Sequence, residues 1–373
     1  MIMRSSLILS FVALLATTTL FAQEKRTSIK PGELWPDDKG VHINAHGGGM
    51  LYHEGTYYWF GEHKGDRSNA ALVGVTCYAS TDLYNWDNKG VALSVVDDPN
   101  STLVRGCVIE RPKVIYNERT KTFVMYFHHE LRFRGYDAAR VGVAVSKQVT
   151  GPYTFIDSYR PNAGFWPANM PLAERDTNLN AQPEPKSWTP EWIDVVKNGL
   201  YTRRDFKGGQ MSRDMTLFVD DDGKAYHIYS AEENLTLNIA ELSDDYLSHT
   251  GNYVRMAPAG HNEAPAIFKK GKTYYMITSG CTGWAPNAAR LFTAKHIMGP
   301  WTQHPNPWKG DQADISFDSQ STFIFKVAGR KNTWVFMADR WRPNHPSDGR
   351  YIWIPIEFEK GLPVLKWKKE WSL

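Results

Sequence analysis

The chain has 373 residues, 42% of them hydrophobic, and a formal net charge of +3 from 43 basic and 40 acidic side chains. That length and apolar content suffice for a full core, and so balanced a charge leaves no electrostatic footprint for nucleic acid or for an anionic membrane surface. Only Cys77, Cys107 and Cys281 occur, which excludes a disulfide-stapled scaffold and offers no zinc spacing; they read as free thiols.

The chain opens with Arg4, an apolar stretch from Leu7 to Phe21, and Ala22-Gln23-Glu24-Lys25. This is the order of a cleavable secretory signal. Residues 1–22 are expected to be removed, leaving a secreted or periplasmic domain over 23–373. The stretch falls short of the ~20 apolar residues of a comfortable span, so no membrane association is expected after cleavage.

Beyond it one pattern recurs: a short apolar run, a turn, and a second run rich in aromatic and β-branched residues. The first copy starts at Gly48-Gly49-Met50-Leu51-Tyr52 and continues over 56–60, with a third run over 73–79. The second starts at Pro112-Lys113-Val114-Ile115-Tyr116, followed by 122–127 and 140–145. After an interruption come Met215-Thr216-Leu217-Phe218-Val219 with 224–229 and 235–242, then Pro265-Ala266-Ile267-Phe268 with 273–278 and 289–294, and last Ser321-Thr322-Phe323-Ile324-Phe325 with 333–337 and 351–358. Similar turns close the copies, among them Gly151-Pro152-Tyr153 and Gly299-Pro300-Trp301. Tandem hairpins without any long amphipathic helix predict an all-β fold, a five-bladed β-propeller with four strands per blade.

The interruption, residues 160–210, is rich in Pro, Asn, Trp and charge, with a short helix expected around 190–197. So long an irregular segment in a compact domain is usually functional or disordered. Trp166, Trp188 and Trp192 point to an ordered loop packed near the channel mouth.

Aligning the copies brings the residues ahead of each run into register: His46-Gly47, Glu110-Arg111, Arg213-Asp214, Glu263-Ala264 and Ser319-Gln320. Innermost propeller strands begin at one mouth of the central channel, so these positions converge on one ring. Pro265 denies Glu263 a regular ladder geometry, aiming its carboxyl into the channel. Asp214 stands one blade earlier. Neighbouring like charges and partial burial raise one carboxyl pKa, which makes a general acid; two acids with split pKa values point to glycoside hydrolysis. The bland alternatives are a solvated Glu263 and an Asp214 that pairs only with Arg213.

Glu110 reads as a sugar-hydroxyl ligand held ionised by Arg111, with a base or a local ion pair as alternatives. Glu62, Glu232 and Glu233 end second strands and are expected at the rim, with Glu62 and Glu232 within reach of substrate. Thr282, Trp284 and Trp341 follow second strands; flat aromatic faces beside polar groups suit a sugar ring, while core packing is the alternative for each Trp. Asp220-Asp221-Asp222-Gly223 lacks the later Glu of a calcium loop and reads as a hairpin turn.

With these residues in place the chain resembles glycoside hydrolase family 43, over essentially all of the domain. The resemblance implies five-bladed propellers that cleave arabinosyl, xylosyl and galactosyl linkages with inversion, using an Asp base in the first blade, an Asp in the third that tunes the acid, and a Glu acid in the fourth. Asp214 matches the second and Glu263 the third. Where the base would stand the chain reads Asn44-Ala45-His46-Gly47-Gly48-Gly49, with no carboxylate. This opening, with Glu110-Arg111-Pro112-Lys113, Thr282-Gly283-Trp284-Ala285-Pro286-Asn287 and Ser319-Gln320-Ser321-Thr322, is similar to the exo-β-1,3-galactanase branch. That branch implies that Gln320 handles the attacking water and that Glu110 contacts substrate. An ordinary amide is too weak a base, so Gln320 acts either through its imidic-acid tautomer or by positioning water; His46 is expected to contact substrate and is the alternative base, against a structural histidine in the glycine-rich turn.

The expectation is therefore a monomeric hydrolase of oligo- or polysaccharide that removes terminal galactose from β-1,3-galactan, without a cofactor and without a catalytic metal; a structural calcium has no sequence support. An α-L-arabinofuranosidase and an inactive sugar-binding propeller are the rivals.

Overall fold

The computed structural model describes residues 25–180 and 184–373. The expected signal, residues 1–22, lies outside the described residues. In chain order the first sheet comprises β1 (His46–His53), β2 (Thr56–Glu62), β3 (Gly74–Ser80) and β4 (Asp87–Ser94), and the second β5 (Val108–Asn117), β6 (Thr122–Glu130), β7 (Arg140–Ser146) and β8 (Thr154–Tyr159). The third runs β9 (Met215–Val219), β10 (Ala225–Ala231), β11 (Thr236–Leu242) and β12 (His249–Met256), the fourth β13 (Asn262–Lys270), β14 (Thr273–Gly280), β15 (Arg290–Ala294) and β16 (Trp301–His304). After β17 (Trp308–Lys309) follow β18 (Gln320–Lys326), β19 (Trp334–Arg340) and β20 (Arg350–Pro355), then β21 (Glu357–Glu359) and β22 (Leu362–Lys366).

The fold is an all-β propeller, but the expectation of five four-stranded blades is corrected. Among the described residues the strands form six sheets, because the last repeat holds only β18-β19-β20 while β17-β22-β21 make a separate small sheet. The cause is local. Pro355 ends β20 without an N–H to extend it, Ile356 bonds back to the Trp334 carbonyl at 2.9 Å, and β22 then pairs in parallel with β17 instead of lying antiparallel on β20.

Five inner strands, β1, β5, β9, β13 and β18, each touch the next, and β18 touches β1, so they close a ring. Apolar faces of successive sheets meet between them: Trp35, Trp59, Trp86 and Trp353 form one packed cluster, all 3% exposed or less. Each such side chain contributes about 1.5–3 kcal/mol by leaving water. Outside the ring, Ile29 and Trp371 exchange backbone hydrogen bonds at 2.8 and 3.0 Å, tying the two ends of the described chain together.

The insertion contains α1 (Pro190–Lys197), started by Pro190 at its first turn and by the Thr189 side chain, which accepts from the Trp192 N–H. A second helix, α2 (Leu200–Arg204), carries no sequence signal, since five residues are too few to display periodicity. Trp192, Val196, Leu200 and Tyr201 bury against Leu235 of the third repeat, and Trp166 stacks on Phe206.

Four of the five ring positions reach into their inner strands, and there the ladder slips, between His46 and Gly49, Glu110 and Lys113, Glu263 and Ala266, and Ser321 and Phe323; Asp214 stands directly ahead of β9, whose ladder is regular. In three copies the residue after the polar one is left-handed, Gly47 at φ 56°, Arg111 at 55° and Ala264 at 51°. A bulge of this kind re-aims one side chain out of the pleat, which is how a polar residue in a core strand reaches the channel mouth.

Candidate active site

A cavity of about 320 Å³ opens at that mouth, bordered by Glu62, Lys64, Glu110, Arg111, His128, Tyr136, Arg213, Asp214, Asn234, Glu263, Cys281, Trp284, Gln320 and Trp341. The ring therefore assembles Glu110, Asp214, Glu263 and Gln320 as the repeat register requires.

Glu263 Oε1 accepts from Asn234 Nδ2 at 2.7 Å and from the Cys281 thiol at 2.9 Å. Burial, and then the Asp214 charge, push the Glu263 carboxyl up to about 7 against those donors. With Oε1 occupied by donors, a proton on this group resides on Oε2. The Cys281 thiol is itself pushed up to about 12 by burial and by Glu263, so it stays a donor. Cys281 is thus a free thiol, as expected, but half-buried in the site rather than in the core.

Asp214 does not pair with its neighbour Arg213. Its Oδ2 receives Arg111 Nη2 at 2.8 Å, while Arg213 binds Glu233. Arg111 also donates from Nη2 to Gln320 Oε1 at 2.5 Å and from Nη1 to the Ser321 carbonyl at 2.9 Å. The expectation that Arg111 holds Glu110 ionised is corrected, since its left-handed backbone turns the guanidinium toward the third and fifth repeats. His128 serves Glu110 instead: Nδ1 stands 3.0 Å from Glu110 Oε2, and Nε2 2.8 Å from Glu130. Burial alone would raise the Glu110 carboxyl, but the His128 hydrogen bond and charge, with Lys64 and the Tyr136 hydroxyl at 2.7 Å, hold it far below the usual range. Those two carboxylates outweigh burial at His128 and lift it to about 9, so the imidazolium persists at neutral pH.

Gln320 is fixed at every polar atom. Oε1 accepts from Arg111 and from Trp341 Nε1 at 2.9 Å, and Nε2 donates to Ser279 Oγ at 2.9 Å. Two obligate donors on one atom identify it as the carbonyl oxygen. Trp341 meets Trp284 edge to face at a centroid distance of 5.7 Å, and both border the cavity.

Other expected contacts move. Glu62 is no rim residue: it is 2% exposed, ion-paired to Lys64 at 2.5 Å, and pushed up by burial. A Cβ on Gly47 would collide with its carboxylate, so glycine is required there by close approach as well as by φ. Glu232 is no substrate contact. It is fully buried, bound by Arg255 through 2.6 and 2.7 Å bonds and by Thr202 and Thr236, and fastens the insertion to the third repeat. His46 is fully buried, stacked on Tyr351 at 5.3 Å, absent from the cavity wall, and pushed well below its ordinary pKa by burial; it is the structural histidine, neither the expected substrate contact nor a base. Thr282 bonds Ala285 and Asn287 and so shapes the loop that carries Trp284. The Asp220-Asp221-Asp222-Gly223 turn closes the hairpin between β9 and β10, as expected.

Sequence reasoning missed Asn234, His128, Tyr136, Lys64, Ser279 and the buried Asp339, whose Oδ2 receives the Gly47 N–H at 2.5 Å and whose carboxyl burial pushes up to about 7. A signal existed: His128-His129-Glu130 ends β6 as Glu62 ends β2, in the same place of the repeat. Glu110, His128 and Asp214 offer ligand atoms within 4.8 Å of one another. This set does not suit a cation, because His128 spends both nitrogens on carboxylates and Arg111 stands on Asp214.

A carboxyl raised to about 7 beside a second carboxyl, a fixed amide and two indoles around one sugar-sized cavity are the parts of a glycosidase site. The family model described as glycosyl hydrolases family 43 matches residues 174–363. A solved β-1,3-galactosidase of that family, with galactodeoxynojirimycin bound, is 55% identical, with 92% of this chain and 100% of that one covered and a TM-score of 0.91. The exo-β-1,3-galactanase of Phanerochaete chrysosporium, solved with β-1,3-galactotriose, is 31% identical over 93% of this chain and 68% of its own, with a TM-score of 0.75. A β-D-galactofuranosidase of Aspergillus niger is 31% identical over 100 residues, 26% of this chain and 28% of that protein, so the match spans under a third of that relative. The chain belongs to glycosyl hydrolase family 43.

Proposed function

We propose that this chain is an exo-acting, inverting β-1,3-galactosidase that releases terminal galactose from β-1,3-galactan. The observation that carries the reading is the Glu263 carboxyl, raised to about 7 beside Asp214 in a cavity at the mouth of the ring, in a chain 55% identical to a β-1,3-galactosidase over 92% of its own length.

The chemistry follows from the donors. Glu263, protonated on Oε2, gives its proton to the glycosidic oxygen as the bond to C1 breaks. Asp214 keeps that proton bound until it is needed, and Arg111 neutralises Asp214 enough for two carboxyls to share the cavity. Glu110, held ionised by His128, accepts from sugar hydroxyls. Gln320, its oxygen held by Arg111 and Trp341, is assigned to positioning water on the face opposite the acid; the water oxygen bonds to C1 as the leaving group departs, and the proton it sheds passes to solvent, from which Glu263 is protonated again. Trp284 and Trp341 supply apolar faces.

The five inner strands are read as five blades, with the small β17-β22-β21 sheet as an edge to the fifth. Secretion through the segment over residues 1–22, a monomeric state and independence of any cofactor complete the proposal. The test is turnover of an aryl β-galactoside against an aryl α-L-arabinofuranoside, with β-1,3-galactobiose beside them. Preference for the arabinofuranoside identifies the rival hydrolase, and binding without turnover the sugar-binding propeller.

A further inference from the structure

Trp188 is 61% exposed, and its backbone sits at φ 70°. The Thr189 N–H bonds the Lys186 carbonyl at 3.3 Å, closing the turn Lys186-Ser187-Trp188-Thr189. Trp188 therefore occupies the third position of the turn, where a positive φ favours glycine and a bulky aromatic is a genuine outlier. Core packing does not explain it, because much of the indole faces solvent. What it does touch is informative: its ring lies 5.1 Å from Trp192 of α1 and 5.3 Å from His261.

His261 stands two residues before Glu263, a chain separation of at most about 7 Å. It also borders a second groove of about 450 Å³ that includes Cys281, Thr282, Asn287, Arg290 and Asn306. Cys281 is common to this groove and to the cavity, and its thiol bonds Glu263. A general acid stands on the leaving-group side of the bond it cleaves, so a surface that continues outward past Glu263 faces the part of the chain that departs. Polar amides and a guanidinium in the groove suit hydroxyl edges, and an exposed indole suits the C–H face of a pyranose.

We propose that Trp188, backed by His261 and Trp192, is a stacking platform for galactose units on the leaving-group side of the scissile bond. The proposal rests on the galactan reading above. It makes the insertion a determinant of chain-length preference rather than a structural ornament.

The test compares kcat/KM for 4-nitrophenyl β-galactoside, whose sugar fills only the cavity, with that for β-1,3-galactotriose. In Trp188→Gly the trisaccharide-to-aryl ratio should fall about tenfold, while Tm holds or rises because glycine accepts the turn's φ. Trp188→Phe should keep the ratio within about threefold. An unchanged ratio in Trp188→Gly overturns the platform, as does a lowered Tm with equal losses on both substrates, which marks a purely structural tryptophan. Calorimetry on Glu263→Gln adds an arm without turnover: trisaccharide binding that Trp188→Gly does not weaken also overturns the platform. Wild-type protein that cleaves the aryl β-galactoside but not the trisaccharide would instead overturn the galactan reading, and the platform with it.

Discussion

Arg111 donates to Gln320 Oε1 at 2.5 Å across the channel, from the second repeat to the fifth. The bond crosses the ring and fixes the orientation of Gln320, whose oxygen is held between Arg111 and Trp341. Gln320→Ala should therefore lower kcat by at least about a hundredfold, about 2.7 kcal/mol, with galactose affinity by calorimetry nearly unchanged. Retention of more than about a tenth of the wild-type rate removes Gln320 from the reaction. The product sugar, followed by NMR, should appear first as the α-anomer.

Arg111→Lys tests the other end of the same bond. A lysine lacks the planar fork that reaches Asp214 and Gln320 together. Turnover should fall about tenfold to a hundredfold in kcat more than in KM, and wild-type kinetics would show that the two contacts are incidental.

Glu263→Gln removes the transferable proton. Loss on β-1,3-galactobiose should reach several orders of magnitude, and an aryl substrate with a good leaving group should be partly spared, since its departing oxygen needs less protonation. Equal losses on the two substrates would assign Glu263 some other role.

The acid must be protonated to act, and its pKa is raised to about 7, so kcat/KM should decline as pH rises through about 7. Asp214 is a cause of that elevation; its charge disfavours a second one. Asp214→Asn should then move the alkaline limb to lower pH. A limb that stays in place at wild-type rate would show that Asp214 does not sense the acid.

Glu232 and Arg255 make a prediction about stability rather than rate. Removing one partner strands the other charge in the core, at about 3–5 kcal/mol, so Arg255→Ala should lower Tm markedly. Arg255→Met with Glu232→Gln should recover part of the loss. Equal Tm values for the single and double variants would contradict a coupled pair.

The repeat made the hairpins legible because alternation and turn residues are local properties, and aligning the copies placed Glu110, Asp214, Glu263 and Gln320 on one ring. What stayed hidden depends on partners distant in sequence. Nothing in Glu110-Arg111 announces that the arginine turns away to Asp214; that follows from a left-handed bulge. Glu62 ends β2 and Glu232 directly follows β10, yet one borders the cavity and the other is sealed beneath the insertion, a distinction set by α1 and α2 folding over the third repeat. For His46 a sequence displays the chemistry of a base but not the burial that rules it out.

The mutual bonds of Ile29 and Trp371 give the molecule the topology of a circle cut at one point. A circular molecule has no privileged first segment. Joining these ends by a short peptide and opening the chain at the exposed Glu54-Gly55 turn would preserve every strand neighbour described above. Enzyme function then belongs to the cycle of five inner strands, and any linear order that closes the same cycle writes the same site.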